Sequence, residues 1–148
     1  MEKIIIDSSE LVLGRLCTYA AKQAILGKSI EIVNCEKAVI MGTKSSILEK
    51  YKTRFSRGTH VKGPFFYRKP DFFVKRVIRG MITYKRGRGK EALKSIKCYI
   101  GVPETLSGQK FLTFEDKNVN SRNSLRECPH ISVGELCSYF GWKQRINV

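Results

Sequence analysis

Side chains able to perform acid–base, nucleophilic or metal chemistry are few in this sequence, and their spacing does not suit catalysis. The two histidines, His60 and His130, stand outside any H-E-x-x-H motif. Cys128, His130 and Cys137 could suggest zinc, but the spacing does not fit a compact site and a fourth ligand is missing. Ordinary thiols are therefore the expected interpretation, and we predict no metal site.

Acidic residues and glycine motifs give no stronger sign of an enzyme. Asp71 and Glu91 are the only acids between residues 51 and 100. A metal-dependent nuclease needs clustered carboxylates, whereas these two are far apart and each is expected near a helix start. Leu13-Gly14-Arg15 lacks the glycine pattern of a nucleotide-binding loop, so Gly14 is expected to pack closely at a helix start. We predict no catalytic residue and no cofactor.

Positive charge, by contrast, is concentrated in the middle third of the chain. The 148 residues carry 28 Lys and Arg against 13 Asp and Glu, a net charge of +15. Residues 51–100 contain fifteen of the basic residues and two acids, and eight aromatic residues lie between Tyr51 and Tyr84. Basic side chains bind phosphates and flat rings stack on unpaired bases. The segment predicts a nucleic-acid surface, with half or more of the rings used for packing instead.

Glycines within this basic segment allow two interpretations. Gly58, Gly63, Gly87 and Gly89 could let the backbone approach a phosphate where a Cβ would obstruct it. Ordinary turn formation is the alternative, and it is the commoner role of any single glycine.

Apolar periodicity predicts the elements that position the basic segment. Strands are expected over 3–6, 29–34 and 38–41, with a helix between the first two that ends at Gly27 and is capped by Asp7, Ser8 or Ser9. This order predicts a layered α/β domain with at least partly parallel pairing. A last short helix should begin at the Ser132–Glu135 capping box.

The basic segment itself is predicted to alternate loops and helices. A helix begins at Thr43 or Ser45, and Gly and Pro then predict a long surface loop over 53–70. Asp71 is expected to cap a helix whose inner face carries Phe73 or Val74, Val77, Ile78 and Met81. Residues 85–90 predict a second basic loop, followed by a helix over 91–96 and a strand over 97–100.

Composition also limits the compartment. No apolar run approaches the roughly 18 residues of a membrane span, and the amino end offers no signal-peptide apolar region. Five scattered cysteines without a C-x-x-C pair are typical of a reducing compartment. We expect one domain, spanning residues 1–148, that does not insert into a membrane.

Several segments, in the same order along nearly the whole chain, resemble the ribosomal protein L13 family in its archaeal and eukaryotic form. They include Ile5-Ile6-Asp7, Leu13-Gly14-Arg15-Leu16, Gly63-Pro64-Phe65, Arg68-Lys69-Pro70, Arg88-Gly89-Lys90, Lys97-Cys98-Tyr99 and Phe140-Gly141-Trp142-Lys143. The resemblance implies a three-layer α/β domain with a mostly parallel central sheet, basic loops and a short carboxyl-terminal helical extension over about 104–148. It also implies a cytoplasmic structural protein of the large ribosomal subunit with no catalytic role.

The implied partners are large-subunit ribosomal RNA and neighbouring ribosomal proteins, with no small-molecule substrate. The resemblance implies eight RNA contacts around the matched segments, and the basic segment adds Arg54, Lys62 and Arg76. The complete candidate RNA-binding set is Arg54, Arg57, Lys62, Arg68, Lys69, Arg76, Arg79, Lys85, Arg86, Arg88 and Lys90.

Two other functions stay open at this point. A free-standing nucleic-acid-binding or translational regulatory protein would share the same charge pattern. An RNA-modifying enzyme would need a cofactor loop or a catalytic acid that the sequence does not offer.

Overall fold

The computed structural model describes residues 2–114 and 128–143. Five strands and five α-helices are present in that part of the chain, together with short 3-10 helices at Cys35–Lys37 and Glu104–Leu106. In chain order the strands and α-helices are β1 (Lys3–Asp7), α1 (Leu13–Ile25), β2 (Ser29–Val33), β3 (Val39–Met41), α2 (Lys44–Ser56), α3 (Pro70–Met81), α4 (Gly87–Lys94), β4 (Ile96–Cys98), β5 (His130–Ser132) and α5 (Val133–Tyr139).

A parallel sheet forms the centre of the α/β fold, as the strand–helix–strand order predicts. β2 lies between β1 and β4, and Ile32 stands opposite Ile6 on one side and Cys98 on the other. Successive side chains of a strand point to opposite faces. Ile6 and Ile32 join the main core with α1 and α3, whereas Ile5 and Val33 pack in a second cluster with Leu106. Both faces are therefore buried, as is usual for parallel sheets.

The first helix has the predicted inner face but not the predicted cap. Leu16, Cys17 and the other apolar positions of α1 are buried, and Gly27 follows its end. Val12 occupies the N-cap without a side-chain hydrogen bond. The prediction of a cap from Asp7, Ser8 or Ser9 is wrong, because Asp7 Oδ1 instead accepts hydrogen bonds from the Ser9 backbone and side chain. Asp7 thus stabilises the turn that precedes α1.

A second, two-stranded sheet accounts for the third predicted strand. β3 pairs antiparallel with β5, with Ile40 opposite Ile131. Val133 and Leu136 of α5 are buried beside it, so the carboxyl-terminal part of the described chain completes the core. Ser132 accepts a hydrogen bond of 3.1 Å from the Glu135 backbone N–H, which confirms the predicted helix start. The predicted extension over 104–148 lies partly outside the described residues.

The basic segment is more helical than its glycines and prolines predict. α2 continues to Ser56, so the connecting loop spans 57–69. α3 begins at Pro70, and the prediction that Asp71 caps it is wrong, because Lys69 occupies the N-cap and Asp71 lies in the first turn. Residues 85–90 are not a loop throughout, because α4 begins at Gly87 and the Lys90 N–H already donates to the Arg86 carbonyl. The helix start predicted at 91 is wrong for the same reason.

Two packing predictions and the membrane prediction can be compared with the structure. Phe73, Val74 and Ile78 of α3 are buried as predicted, but Met81 is 43% exposed because it lies at the end of the helix. Gly14 has open space where a Cβ would stand, so its predicted close packing is wrong. Within 2–114 and 128–143, the helices are too short or too polar to span a bilayer.

Candidate nucleic-acid interface

The candidate RNA-binding side chains are accessible and have no acidic partner among the residues that the structure describes. Nine of the eleven are exposed, and Arg76 and Arg79 on α3 are half-buried. In the described parts of the chain, none of the eleven has a side-chain nitrogen within 4.0 Å of a carboxylate oxygen, since the ion pairs involve Lys3, Lys28, Lys44 and Lys97. A surface usually mixes both signs of charge. This one presents cations that an anion can neutralise.

Arg76 is the best organised of these cations. Its Nη1 atom donates a hydrogen bond of 2.8 Å to the Phe65 carbonyl, and its Cζ atom lies 3.7 Å from the centre of the Phe66 ring. Burial lowers the pKa of the Arg76 guanidinium, and the positive charges of Arg79 and Arg54 lower it further. Three guanidinium groups thus share one region, where a bound anion would relieve their repulsion.

Aromatic rings hold the other two guanidinium groups. Arg79 Cζ lies 5.3 Å from the Tyr84 ring centre, and Arg54 Cζ lies 5.3 Å from the Tyr51 ring centre. Cation–π contacts at such distances restrict a long side chain without neutralising its charge. The ordering cost of binding an anion is correspondingly smaller.

A second basic region surrounds the start of α4. Arg86 occupies the N-cap, Arg88 and Lys90 follow in the first turn, and that turn contains no acid. The free N–H groups and the positive dipole end of a helix favour anions. Three cations near this helix end are unfavourable beside the positive dipole end, so a bound anion such as phosphate would stabilise the arrangement.

Glycine geometry decides between the two interpretations at two positions. Gly58 has a φ of +85°, and a Cβ there would lie 2.1 Å from the Gly63 carbonyl oxygen. A Cβ at Gly89 would lie 2.2 Å from the Thr83 carbonyl oxygen. Both glycines therefore permit close approach within the protein itself. Phosphate approach is not needed to explain either one.

The eight aromatic residues from Tyr51 to Tyr84 divide evenly between packing and exposure. The rings of Phe55 and Phe66 pack with centroids 5.2 Å apart, and Tyr51 and Phe73 form a similar pair at 5.3 Å. The exposed rings are Phe65, Tyr67, Phe72 and Tyr84. Only the exposed group is available to stack on bases.

The candidate residues do not form one contiguous cluster. Arg54, Arg76 and Arg79 are close together. Arg68 instead lies near the end of α5, where a Cβ added at Gly141 would stand 3.4 Å from its Nη1 atom. Arg57, Lys62 and Lys69 lie on or beside the 57–69 loop, and the rest surround the start of α4.

Lys75 is absent from the predicted set, yet it lines the same cavity as Arg76 and Arg79. The helical spacing of positions 75, 76 and 79 could have identified it.

The three residues that the sequence offers as possible zinc ligands, Cys128, His130 and Cys137, lie in different surroundings. No three His, Cys, Asp or Glu side chains are grouped to hold a metal ion within 2–114 and 128–143. Cys137 is buried in the core, and burial raises the pKa of its thiol to about 12. Cys128 is exposed, and the His130 Nδ1 atom lies 3.0 Å from its backbone carbonyl. Cys128 and His130 therefore form a local turn at the surface, and Cys137 packs in the core.

A parallel α/β core with an accessible cationic and aromatic surface is typical of nucleic-acid-binding α/β proteins. The family model described as Ribosomal protein L13 matches residues 1–105, and the chain belongs to this family. The chain is 37% identical over 139 residues to the large ribosomal subunit protein uL13 of Archaeoglobus fulgidus. The matched region covers 94% of this chain and 88% of that protein. The uL13 proteins of Methanosarcina barkeri and Methanococcus maripaludis are each 40% identical, over 94% and 95% of this chain and 98% of each relative.

Proposed function

We propose that this protein is a structural constituent of the large ribosomal subunit that binds and stabilises ribosomal RNA. The observation that carries the proposal is the set of accessible Lys and Arg side chains without carboxylate partners in the described chain, in a member of the L13 family. Relatives that match nearly the whole chain are named large ribosomal subunit proteins.

Folded ribosomal RNA suits this surface better than a duplex does. It brings phosphates from several strands close together and leaves some bases unpaired. The arginines near Arg76 and the cations at the start of α4 would bind phosphates, and the exposed rings would contact bases. All eleven candidate residues are proposed as RNA contacts on these grounds.

The proposal includes the organisation and setting of the protein. It treats residues 1–148 as one domain with three layers, in which the residues around Leu106 cover the second face of the parallel sheet. The partners are large-subunit ribosomal RNA and neighbouring ribosomal proteins in the cytoplasm. No enzymatic activity, cofactor or small-molecule substrate belongs to the proposal.

Binding measured across a salt series tests the proposed function. If about ten basic groups meet phosphates, the slope of log K against log salt should be roughly −7 to −9 with large-subunit ribosomal RNA. Duplex DNA of equal length should bind more weakly. Equal affinity for both, or a slope near zero, would contradict the proposal.

A matched pair of charge reversals locates the surface. Arg86→Glu should weaken binding, whereas Lys22→Glu should change it little, because exposed Lys22 lies on α1 outside the basic segment. Sedimentation separates a ribosomal component from a free-standing regulator. The former should travel with the large subunit through moderate salt, and a protein that stays free would favour the regulator.

A further inference from the structure

Two of the exposed aromatic residues and three basic residues of α3 meet at one small cavity. It has a volume of about 240 Å³ and lies between the 57–69 loop, α3 and α4. Its lining residues are Tyr67, Phe72, Lys75, Arg76, Arg79 and Leu93. Apolar surface and positive charge are therefore combined in one recess.

Two rings form one wall of this cavity. Tyr67 and Phe72 stack with centroids 5.0 Å apart and an interplanar angle of 28°. They remain 56% and 45% exposed, so their mutual contact does not remove them from water. Much of the apolar surface of these two rings therefore stays in contact with water in the unbound protein. A flat ligand that covers them would bury that surface.

The cationic wall is held in place before any ligand binds. Arg76 is fixed by the Phe65 carbonyl and the Phe66 ring, and Arg79 is held against Tyr84. Within the described chain, neither arginine pairs with a carboxylate. A ligand for this cavity should therefore present a flat apolar face and, next to it, a negative charge.

We propose that this cavity binds an unpaired nucleobase of the RNA, with its flanking phosphate on Arg76, Arg79 or Lys75. A nucleotide joins a π-face to a phosphate in one unit, which matches the two walls. An acidic peptide would satisfy the cations but would leave the stacked rings without a flat partner. The inference rests on the proposed RNA-binding function and assigns one class of contact within it.

Replacing both rings by leucine tests the stacking contact. Tyr67→Leu with Phe72→Leu should weaken binding to a large-subunit ribosomal RNA transcript by about ten-fold or more. The salt slope should stay at the wild-type value, because no phosphate contact is removed. On a fully paired RNA duplex of equal length, the variant and the wild type should bind equally, since no base is available to stack.

Tyr139→Leu is the matched control. Tyr139 is 59% exposed, close to the exposure of Tyr67, but it lies on α5 outside the basic segment. Its replacement should leave binding unchanged. Undiminished binding by the ring variant, an equal loss on duplex RNA, or a flatter salt slope would each overturn the base-binding inference. Failure of the wild-type protein to bind the transcript would instead overturn the proposed function.

Cross-linking of the unmodified protein decides the matter even if the variant folds poorly. Ultraviolet irradiation of the wild-type complex with the transcript should give nucleotide adducts on peptides that contain Tyr67 or Phe72. Adducts confined to other peptides would overturn the inference.

A competition experiment separates a nucleotide from an acidic peptide. A poly-glutamate peptide should displace the transcript from the wild-type protein far less well than poly-uridylate does. Equal competition would contradict the preference for a nucleotide ligand.

Discussion

Arg88 reaches from α4 to the end of α1, where its Nη2 atom donates a hydrogen bond of 3.1 Å to the backbone carbonyl of Ile25. Ile25 is the last residue of α1. Carbonyl groups at a helix end lack partners within the helix, and the dipole there favours a cation. Arg88 thus stabilises a helix end, whereas its basic neighbours Arg86 and Lys90 are exposed without such a contact in the described chain.

This division predicts different effects for neighbouring arginines. Arg88→Ala should lower the free energy of unfolding by about 1 kcal/mol, since it removes a charge-assisted hydrogen bond at an exposed site. Arg86→Ala should change it by less than about 0.5 kcal/mol. Both should weaken ribosomal RNA binding. Urea denaturation and filter binding measure the two effects, and equal stabilities would refute the structural role of Arg88.

Lys90→Glu should change stability and binding in opposite directions. A carboxylate in the first turn of α4 complements the helix dipole, so the free energy of unfolding should rise by about 0.3–1 kcal/mol. Ribosomal RNA binding should weaken, because a cation next to the proposed phosphate site becomes an anion. Thermal melting and binding on the same preparation test this. A variant that binds as tightly as the wild type would remove Lys90 from the interface.

The sequence predicts the central elements well because their signals are local. β1 and β2 are β-branched runs, and the apolar positions of α1 recur at helical spacing. The antiparallel partner of β3 was not predictable, since β5 is three residues long and lies some ninety positions away. The start of α4 is likewise not evident from the sequence, because two glycines among basic residues are typical of a loop. The close approach of Gly89 to Thr83, which a sequence pattern does not reveal, favours the helix.

The candidate interface also has features that the sequence predicts and features that only the fold determines. Charge density alone identifies the segment and its accessible cations. The positions of the individual side chains depend on tertiary contacts, such as Arg76 on Phe66 and Arg88 on Ile25. Tyr67 and Phe72 are also indistinguishable from core rings by sequence, because only the fold leaves them exposed.

Leu16→Ala should cost about 2–5 kcal/mol of unfolding free energy. Leu16 is fully buried in the main core with Ile6 and Ile78, so truncation removes apolar contacts and leaves a cavity. Leu26→Ala is the control, because Leu26 is 61% exposed just after the same helix. Urea denaturation should show little change there. Equal effects at both positions would mean that the inner face of α1 is assigned incorrectly.

Cys137 should make stability fall at alkaline pH. Burial, aided by the nearby Asp71, raises the pKa of its thiol to about 12 from 9.0. Above about pH 9 the unfolded chain releases this proton while the native chain retains it, so the free energy of unfolding decreases as pH rises. One such group contributes up to about 1.4 kcal/mol per pH unit.

Cys137→Ala should therefore have a shallower decline of stability between about pH 9 and about pH 11 than the wild type. Cys128→Ala, which removes an exposed thiol, should retain the wild-type decline. Denaturation midpoints across the pH series provide the comparison. The same slope in all three proteins would show that the Cys137 thiol ionises alike in the folded and unfolded chains.

Ser132→Ala should destabilise the protein by about 1 kcal/mol. The Ser132 hydroxyl accepts the Glu135 backbone N–H at 3.1 Å at the start of α5, and alanine leaves that donor without its cap. Thr43→Ala is the matched control, because Thr43 occupies the N-cap of α2 without a side-chain cap hydrogen bond. That change should cost much less in thermal and urea denaturation. If the two substitutions proved equally costly, the hydrogen bond from Glu135 would not be the source of the loss at Ser132.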